Sequence, residues 1–371
     1  MAISGYEDPQ RFRFAGAMEG VPEPVEPRVL PGIALAGLLA LLAVAASDWI
    51  GVSWLGFKQS PLPPALLAIT LGLAIRNAFG LPSTYDLGLR FCVQRVLRIG
   101  VALLGLRLSL AAVGGIGLHA LPIVAACIAT ALAGVAIVTR ALGLPARLGT
   151  LIAVGTAICG NSAIAAVGPA IGAKDDEVSY AVGCVTLFGL FALIVYPFVA
   201  PWLFAGDPHL AGLFLGAAIH DTAQVAGAGM LAVQHTGDAS VLETAAVTKL
   251  LRNAFMIVVI PATTWWHQRG AASRSRVRVR FTQAVPWFVI GFLALAVVRT
   301  LADLNASAIA QPLIQSGLGV STACLGVAMA AIGLGTDLRK LRGLGLRPLA
   351  VGFAAALTTG AVATAVIKLT A

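Results

Sequence analysis

The chain has 371 residues, of which 58% are hydrophobic and 11% are charged. Soluble domains carry about 25% charged residues, so this composition excludes an ordinary soluble domain and indicates an all-α polytopic membrane protein. The formal net charge is +9. No basic stripe is interleaved with aromatic residues, so we predict no nucleic-acid partner and take the lipid bilayer as the surroundings of the chain.

The first 28 residues are polar and contain Pro-Glu-Pro-Val-Glu-Pro at 22–27. This composition predicts a disordered cytoplasmic tail at 1–28, followed by a first transmembrane helix at 29–50. Ala43-Val44-Ala45 imitates a signal-peptide cleavage site, so a cleaved leader is the alternative. The apolar run continues to Ile50 and therefore favours an uncleaved helix.

Apolar runs separated by short turns predict about eleven membrane spans. Their approximate ranges are 30–50, 61–79, 88–112, 118–140, 147–172, 178–203, 209–235, 241–266, 284–303, 312–336 and 345–369. The Lys and Arg residues, including an Arg-rich run at 269–280, fall mostly on one side of these spans. The positive-inside rule then predicts a cytoplasmic N-terminus and an outside C-terminus.

Three short segments recur in the same order in the two halves of the chain. LGLAIRN in span 2 resembles LGAAIHD in span 7, QRVLR in span 3 resembles TKLLR in span 8, and AIAAVG in span 5 resembles AMAAIG in span 10. This collinear order predicts two five-helix repeats, at 61–203 and 209–369, outside the first helix. An odd number of crossings inverts the second copy, which is the plan of many secondary transporters.

Small and polar residues interrupt the centre of span 5: Thr156, Gly160, Asn161 and Ser162. Glycine adopts unusual backbone angles, and Asn and Ser are good helix N-caps, so this segment predicts two half-helices that meet inside the membrane. A half-helix N-terminus attracts anions. The repeat predicts a matching break at Ser321 and Thr322, and close helix packing through small residues is the alternative.

Span 7 carries His220, Asp221 and Gln224, which helical spacing brings together. Ionisable groups inside a membrane are functional candidates, so these residues are predicted to couple protons or to gate. A structural polar network between helices is the alternative.

Span 8 carries Lys249, Arg252 and Asn253. Each charge near the bilayer centre costs about 2.5–3.5 kcal/mol, and the obvious buried carboxylates are Asp221 and Glu243. Buried cations therefore outnumber buried carboxylates, and this excess predicts an anionic ligand bound by the span 8 residues. On this interpretation, replacing either cation with alanine abolishes anion flux and leaves the fold intact.

The chain contains no phosphate-binding GxxxxGK[ST] loop, no GxSxG elbow and no HExxH motif. Its five cysteines have no metal-ligand spacing. The sequence therefore predicts no enzyme activity, no cofactor and no metal site.

GTAICGNSAIAAVGPAIGAKDDEVSYAVGCVTLFG (155–189), HDTAQVAGAG (220–229) and LGTDLRKL (334–341) resemble signature segments of the YeiH-type family of predicted sulfate exporters. That family lies in the bacterial inner (plasma) membrane and is similar in fold to sodium/proton antiporters and bile-acid symporters. The resemblance implies two crossed broken helices, at Gly160–Asn161 and near Ser321–Thr322.

The leading hypothesis is a secondary active transporter of a small anion, such as sulfate, sulfite or a sulfonate, with a proton or sodium as coupling ion. A cation/proton antiporter on the same scaffold is the first alternative. A non-transporting membrane protein, such as a sensor, is the second. A homo-oligomer is compatible with each of these hypotheses.

Overall fold

The computed structural model describes residues 27–50, 64–268, 287–304, 310–339 and 346–370, and within these ranges the chain is helical and has no strand. The α-helices are α1 (Leu30–Asp48), α2 (Pro64–Phe79), α3 (Asp86–Phe91), α4 (Leu97–Leu103), α5 (Leu110–Ala141), α6 (Ala146–Ala157), α7 (Asn161–Ala170), α8 (Asp175–Leu203), α9 (Pro208–Ala218), α10 (Thr222–Thr236), α11 (Ser240–Ala254), α12 (Met256–Gln268), α13 (Trp287–Leu304), α14 (Ala310–Gly335) and α15 (Leu346–Thr370). Most of the predicted tail and the Arg-rich run at 269–280 lie outside these ranges.

The helices confirm an all-α polytopic membrane protein. Seven of them, counting α11 and α12 as one span, are long and apolar enough to cross a bilayer. The other predicted spans correspond to α2, to the rod formed by α3 and α4, and to the pairs α6–α7 and α9–α10. A π-helical turn at Cys92–Val96 joins α3 to α4 without a break. The number of crossings and their orientation stay predictions.

The buried apolar side chains form two clusters. The first cluster contains side chains from each helix from α5 through α12 and from α15, and we call these nine of the described helices the crossing body. The second cluster contains side chains from each helix from α1 through α4 and from α13 and α14, and we call these six described helices the panel. The cluster also includes side chains of α8, α10 and α11. The panel and the crossing body therefore meet along α10 and α11.

Close packing of α9 on α11 sets the position of the site. A Cβ at Gly216 of α9 would lie 2.6 Å from the carbonyl oxygen of Ala245 in α11. Only a residue without a side chain allows the two backbones to approach this closely. The approach brings the second half of α11 against the C-terminal end of α9.

The predicted break at Ser321–Thr322 is wrong, because α14 runs without interruption from Ala310 to Gly335. Ser321 Oγ donates to the carbonyl oxygen of Gly100 at 2.7 Å, and Thr322 Oγ1 donates to that of Leu318 at 3.0 Å. Both hydroxyls are thus satisfied by helix backbone, as Ser and Thr often are inside membrane helices. The second broken helix is the α9–α10 pair, and the repeat boundaries stay a prediction.

Candidate functional site

The first break separates α6 from α7 and confirms the interruption predicted at Gly160 and Asn161. Ile158 leaves the helical region with φ −123° and ψ −97°, and Gly160 has φ +71° and ψ −125°. L residues with side chains rarely adopt a positive φ of this kind, so glycine makes the turn possible. The N-terminus of α7 begins directly after it.

The second break separates α9 from α10. Ile219 is extended, with φ −83° and ψ 137°, and Asp221 forms the N-cap of α10. The Asp221 Oδ1 atom accepts a hydrogen bond from the backbone N–H of Ala223 at 2.8 Å. Asp is among the strongest N-cap residues, which explains why a new helix starts here.

The two breaks touch each other. A Cβ at Gly160 would lie 3.0 Å from Asp221 Oδ2 and 3.2 Å from Asp221 Cβ. The Asp221 carboxylate thus lies between the start of α10 and the start of α7. Both ends carry partial positive charge and unpaired N–H groups.

Lys249 of α11 binds backbone carbonyl groups of both breaks. Its side chain is 1% exposed, and its Nζ donates to the carbonyl oxygens of Ile158 at 2.7 Å and Ile219 at 3.1 Å, and to that of His220. An ammonium group has three protons to donate. All three therefore have backbone partners from the two breaks.

Arg252, about one helical turn further along α11, also binds backbone carbonyl groups near both breaks. Its side chain is 0% exposed. Its Nε donates to the carbonyl oxygen of Ala157 at 2.8 Å, and Nη1 donates to that of Ile219 at 3.3 Å. Nη1 also binds the carbonyl of Ala217, and Nη2 binds that of Thr156. These carbonyls belong to the C-terminal ends of α6 and α9, where backbone acceptors have no intrahelical partner and the helix dipole is negative.

We call Lys249 and Arg252 together the clasp. The sequence predicts both residues as part of the anion-binding site, where they set the local positive potential. In the structure their donors point at half-helix C-termini. The predicted carboxylate partner Glu243 lies elsewhere, since its Oε1 is 3.6 Å from Arg107 Nη1. The clasp therefore joins the two broken helices and sets the charge of the crossing.

Other predicted residues surround the crossing. The Asn161 amide and the Thr186 hydroxyl lie 3.3 Å apart, and Gln224 Nε2 donates to the Thr186 carbonyl at 3.2 Å. Asn253 Nδ2 donates to Thr222 Oγ1 at 3.1 Å, at the first residue of α10.

Three buried side chains near the second break keep polar atoms without a partner: Gln224 Oε1, Asn253 Oδ1 and both ring nitrogens of His220. Gln224 is 4% exposed, and His220 and Asn253 are each 1% exposed. Ser162 of the first break is exposed. Ser321 and Thr322 lie on α14 in the panel and are not brought to the breaks.

Similarity to known proteins identifies the family. The family described as Conserved hypothetical protein 698 matches residues 32–352. A UPF0324 membrane protein of Agrobacterium fabrum is 33% identical over 85% of this chain and 86% of its own length. Another from Bradyrhizobium diazoefficiens is 34% identical over 86% of each chain. The chain belongs to the UPF0324 membrane protein family.

Among solved structures, this UPF0324 chain matches the sodium proton antiporter MjNhaP1 from Methanocaldococcus jannaschii. The match has 13% sequence identity and a TM-score of 0.28, and it covers 92% of this chain and 99% of the antiporter.

Arg98 and Thr186 also lie close to the crossing, and the sequence-based prediction does not include them among the site residues. Arg98 is on α4, in the panel, with its guanidinium carbon 5.7 Å from the centre of the Phe288 ring. It is close enough to act on the charge of Asp221. Its place inside a predicted span is a signal that could have identified it, whereas a threonine in an apolar helix carries no such signal.

A small cavity lies between the panel and the crossing. Val101 and Leu104 of α4 line one side, and Thr222 and Lys249 are among the residues on the other. Its volume is about 10 Å³, which is close to the space that one water molecule needs. The panel therefore closes tightly over the crossing in this conformation.

Proposed function

We propose that this UPF0324 protein is a secondary transporter of a small anion, which binds where the two broken helices cross. The balance of charge at the crossing carries this proposal. The two half-helix N-termini contribute roughly +0.5 each and the two C-termini roughly −0.5 each, so the helix ends cancel. Among the described residues, the clasp then supplies two cations at the crossing against the single carboxylate of Asp221.

Uncompensated charge is costly in a buried site, and an anion at the crossing removes that cost. The direct ligands we propose are the first N–H groups of α7, the Asn161 side chain and the Arg98 guanidinium. The clasp acts at a distance, because its donors already bind carbonyls. Sulfate, sulfite and sulfonates suit this arrangement, since their several oxygen atoms can each accept a hydrogen bond.

The division into two bodies supports alternating access. The crossing body carries both breaks, and the panel covers them through α4. Movement of one body against the other would open the crossing first to one side of the membrane and then to the other. We place the protein in the bacterial inner membrane with its N-terminus in the cytoplasm.

Flux of radiolabelled sulfate and sulfite into proteoliposomes tests this proposal, with Arg98→Ala compared to wild type. A charge-assisted hydrogen bond contributes about 1.5–3 kcal/mol, so we expect the initial rate of Arg98→Ala to fall by roughly tenfold or more. Arg90→Ala is the matched control, because Arg90 lies on the same helical rod and is exposed. Its flux should stay within about twofold of wild type, because it touches no part of the crossing.

Equal flux in Arg98→Ala and wild type would contradict the role of Arg98. Sodium-dependent proton movement without flux of sulfate, sulfite or methanesulfonate would contradict anion transport and support a cation/proton antiporter instead.

A further inference from the structure

We infer that Asp221 is a tethered counter-anion whose carboxylate must be protonated when the transported anion binds, so that one proton binds together with each anion. This inference rests on the proposed function and adds the coupling ion to it. The proton adds to a carboxylate oxygen of Asp221 and comes from the side of the membrane on which the anion enters. The proton is delivered by hydronium: one of its O–H bonds breaks and leaves water, while the O–H bond of the carboxylic acid forms.

The position of the carboxylate is that of a helix-bound anion. Asp221 Oδ1 accepts from the Ala223 N–H at 2.8 Å at the start of α10. Its Oδ2 faces Gly160, the N-cap of α7, where an added Cβ would lie 3.0 Å away. A free anion attracted to the same two half-helix N-termini would be repelled by the negative charge of this carboxylate.

A second observation at the same place points to a ligand. The Asn253 side chain is 1% exposed, and one end of its amide donates to Thr222 while the other end has no partner. His220, immediately before Asp221, is equally buried and has two unpartnered ring nitrogens. Buried polar atoms in folded proteins nearly always have partners, so this pair of side chains marks the start of α10 as a binding position.

In the part of the chain that the structure describes, the charged and titratable groups around Asp221 come from α4, α11 and the two breaks. Lys249 faces it from α11 and Arg98 from α4, and Cys159 lies in the first break. His220 precedes it in the chain and is close to the clasp. Two anions held side by side at one place repel each other, and a proton on the carboxylate removes that repulsion. Anion binding and proton binding are therefore linked.

Equilibrium binding of radiolabelled sulfate and sulfite to the purified full chain tests this inference. The series over a range of pH is measured with sulfate, because sulfite itself takes up a proton near neutral pH. In wild type, the apparent Kd should rise by about tenfold for each pH unit above the pH at which Asp221 ionises, as expected for one linked proton. Asp221→Asn keeps an oxygen that can accept from Ala223 but removes the charge. Its Kd should not change with pH, and a pH gradient should no longer drive accumulation.

Three further variants separate the alternatives. Asp221→Ser replaces one good neutral N-cap with another and repeats the test if Asp221→Asn folds poorly. His220→Gln and Cys159→Ser remove the other titratable groups. Their change of Kd with pH should match the wild-type slope, whatever they do to the Kd at a single pH.

A wild-type pH slope in Asp221→Asn, or a slope lost in His220→Gln, would overturn the inference and leave the proposed function standing. No binding of either anion to any variant would overturn the proposed function and this inference with it.

Discussion

Replacing Arg252 with alanine is expected to lower the free energy of unfolding by about 3–5 kcal/mol, the range for breaking buried charged networks. The variant removes the donors to carbonyls of both broken helices, at Thr156, Ala157, Ala217 and Ile219. Each buried carbonyl left unpaired costs about 1–3 kcal/mol. The C-terminal ends of α6 and α9 also lose the cation that offsets their dipoles.

Thermal unfolding of the detergent-solubilised protein measures this effect. Arg252→Lys keeps the charge but cannot reach four carbonyls with one planar group, so an intermediate loss of stability is expected. Arg299→Ala is the control, since Arg299 forms a partly exposed ion pair with Asp303 at 2.9 Å. Pairs of this kind contribute about 0–1 kcal/mol. An Arg252→Ala variant as stable as wild type would contradict the clasp.

The sequence alone predicts that Lys249→Ala and Arg252→Ala abolish flux and leave the fold intact. The structure instead predicts that Arg252→Ala destabilises the fold. The excess of buried cations could be counted from the sequence, but their partners could not. Those partners are backbone carbonyls, which every residue has, and only the three-dimensional crossing shows which of them are free. A cation bound to a half-helix C-terminus and a cation bound to a substrate look the same in a sequence.

The two breaks differ in how clearly the sequence signals them. Gly160 followed by Asn161 combines conformational freedom with a good N-cap, and this pair predicts the first break correctly. At the second break, His220 and Gln224 have the four-residue spacing of one helix face, so the segment resembles an unbroken helix with buried charges. Asp221 acts there as an N-cap, and the preceding Ile219 is extended rather than helical.

The predicted break in α14 fails for a related reason. Ser and Thr are N-cap residues at a helix start but bind carbonyls inside a helix. Ser321 and Thr322 do the latter. Unlike Gly160, neither has a positive φ, and no described residue of α14 does. The backbone conformation, and not the presence of polar residues, separates a broken helix from a continuous one.

Replacing Gly160 with alanine is expected to reduce anion flux by roughly tenfold or more while the protein stays folded. A side chain at φ +71° and ψ −125° costs about 1–3 kcal/mol of backbone strain. The new Cβ would also lie 3.0 Å from Asp221 Oδ2, so the carboxylate must shift by a few tenths of an ångström. A misplacement of about 1 Å can cost roughly a hundredfold in activity, so a smaller shift of this group is expected to cost roughly tenfold.

Gly172→Ala separates strain from contact. Gly172 follows α7 at its other end with φ +63°, and a Cβ there meets no atom within 4 Å. Its variant should therefore lose about 1–2 kcal/mol of stability from the left-handed backbone alone and keep normal flux. Thermal unfolding and sulfate or sulfite flux, measured on both variants, test the difference. If Gly160→Ala and Gly172→Ala lost stability equally and both kept wild-type flux, contact between the two breaks would have no part in transport. A selective loss of flux in Gly160→Ala would instead tie transport to the distance between the Asp221 carboxylate and the start of α7.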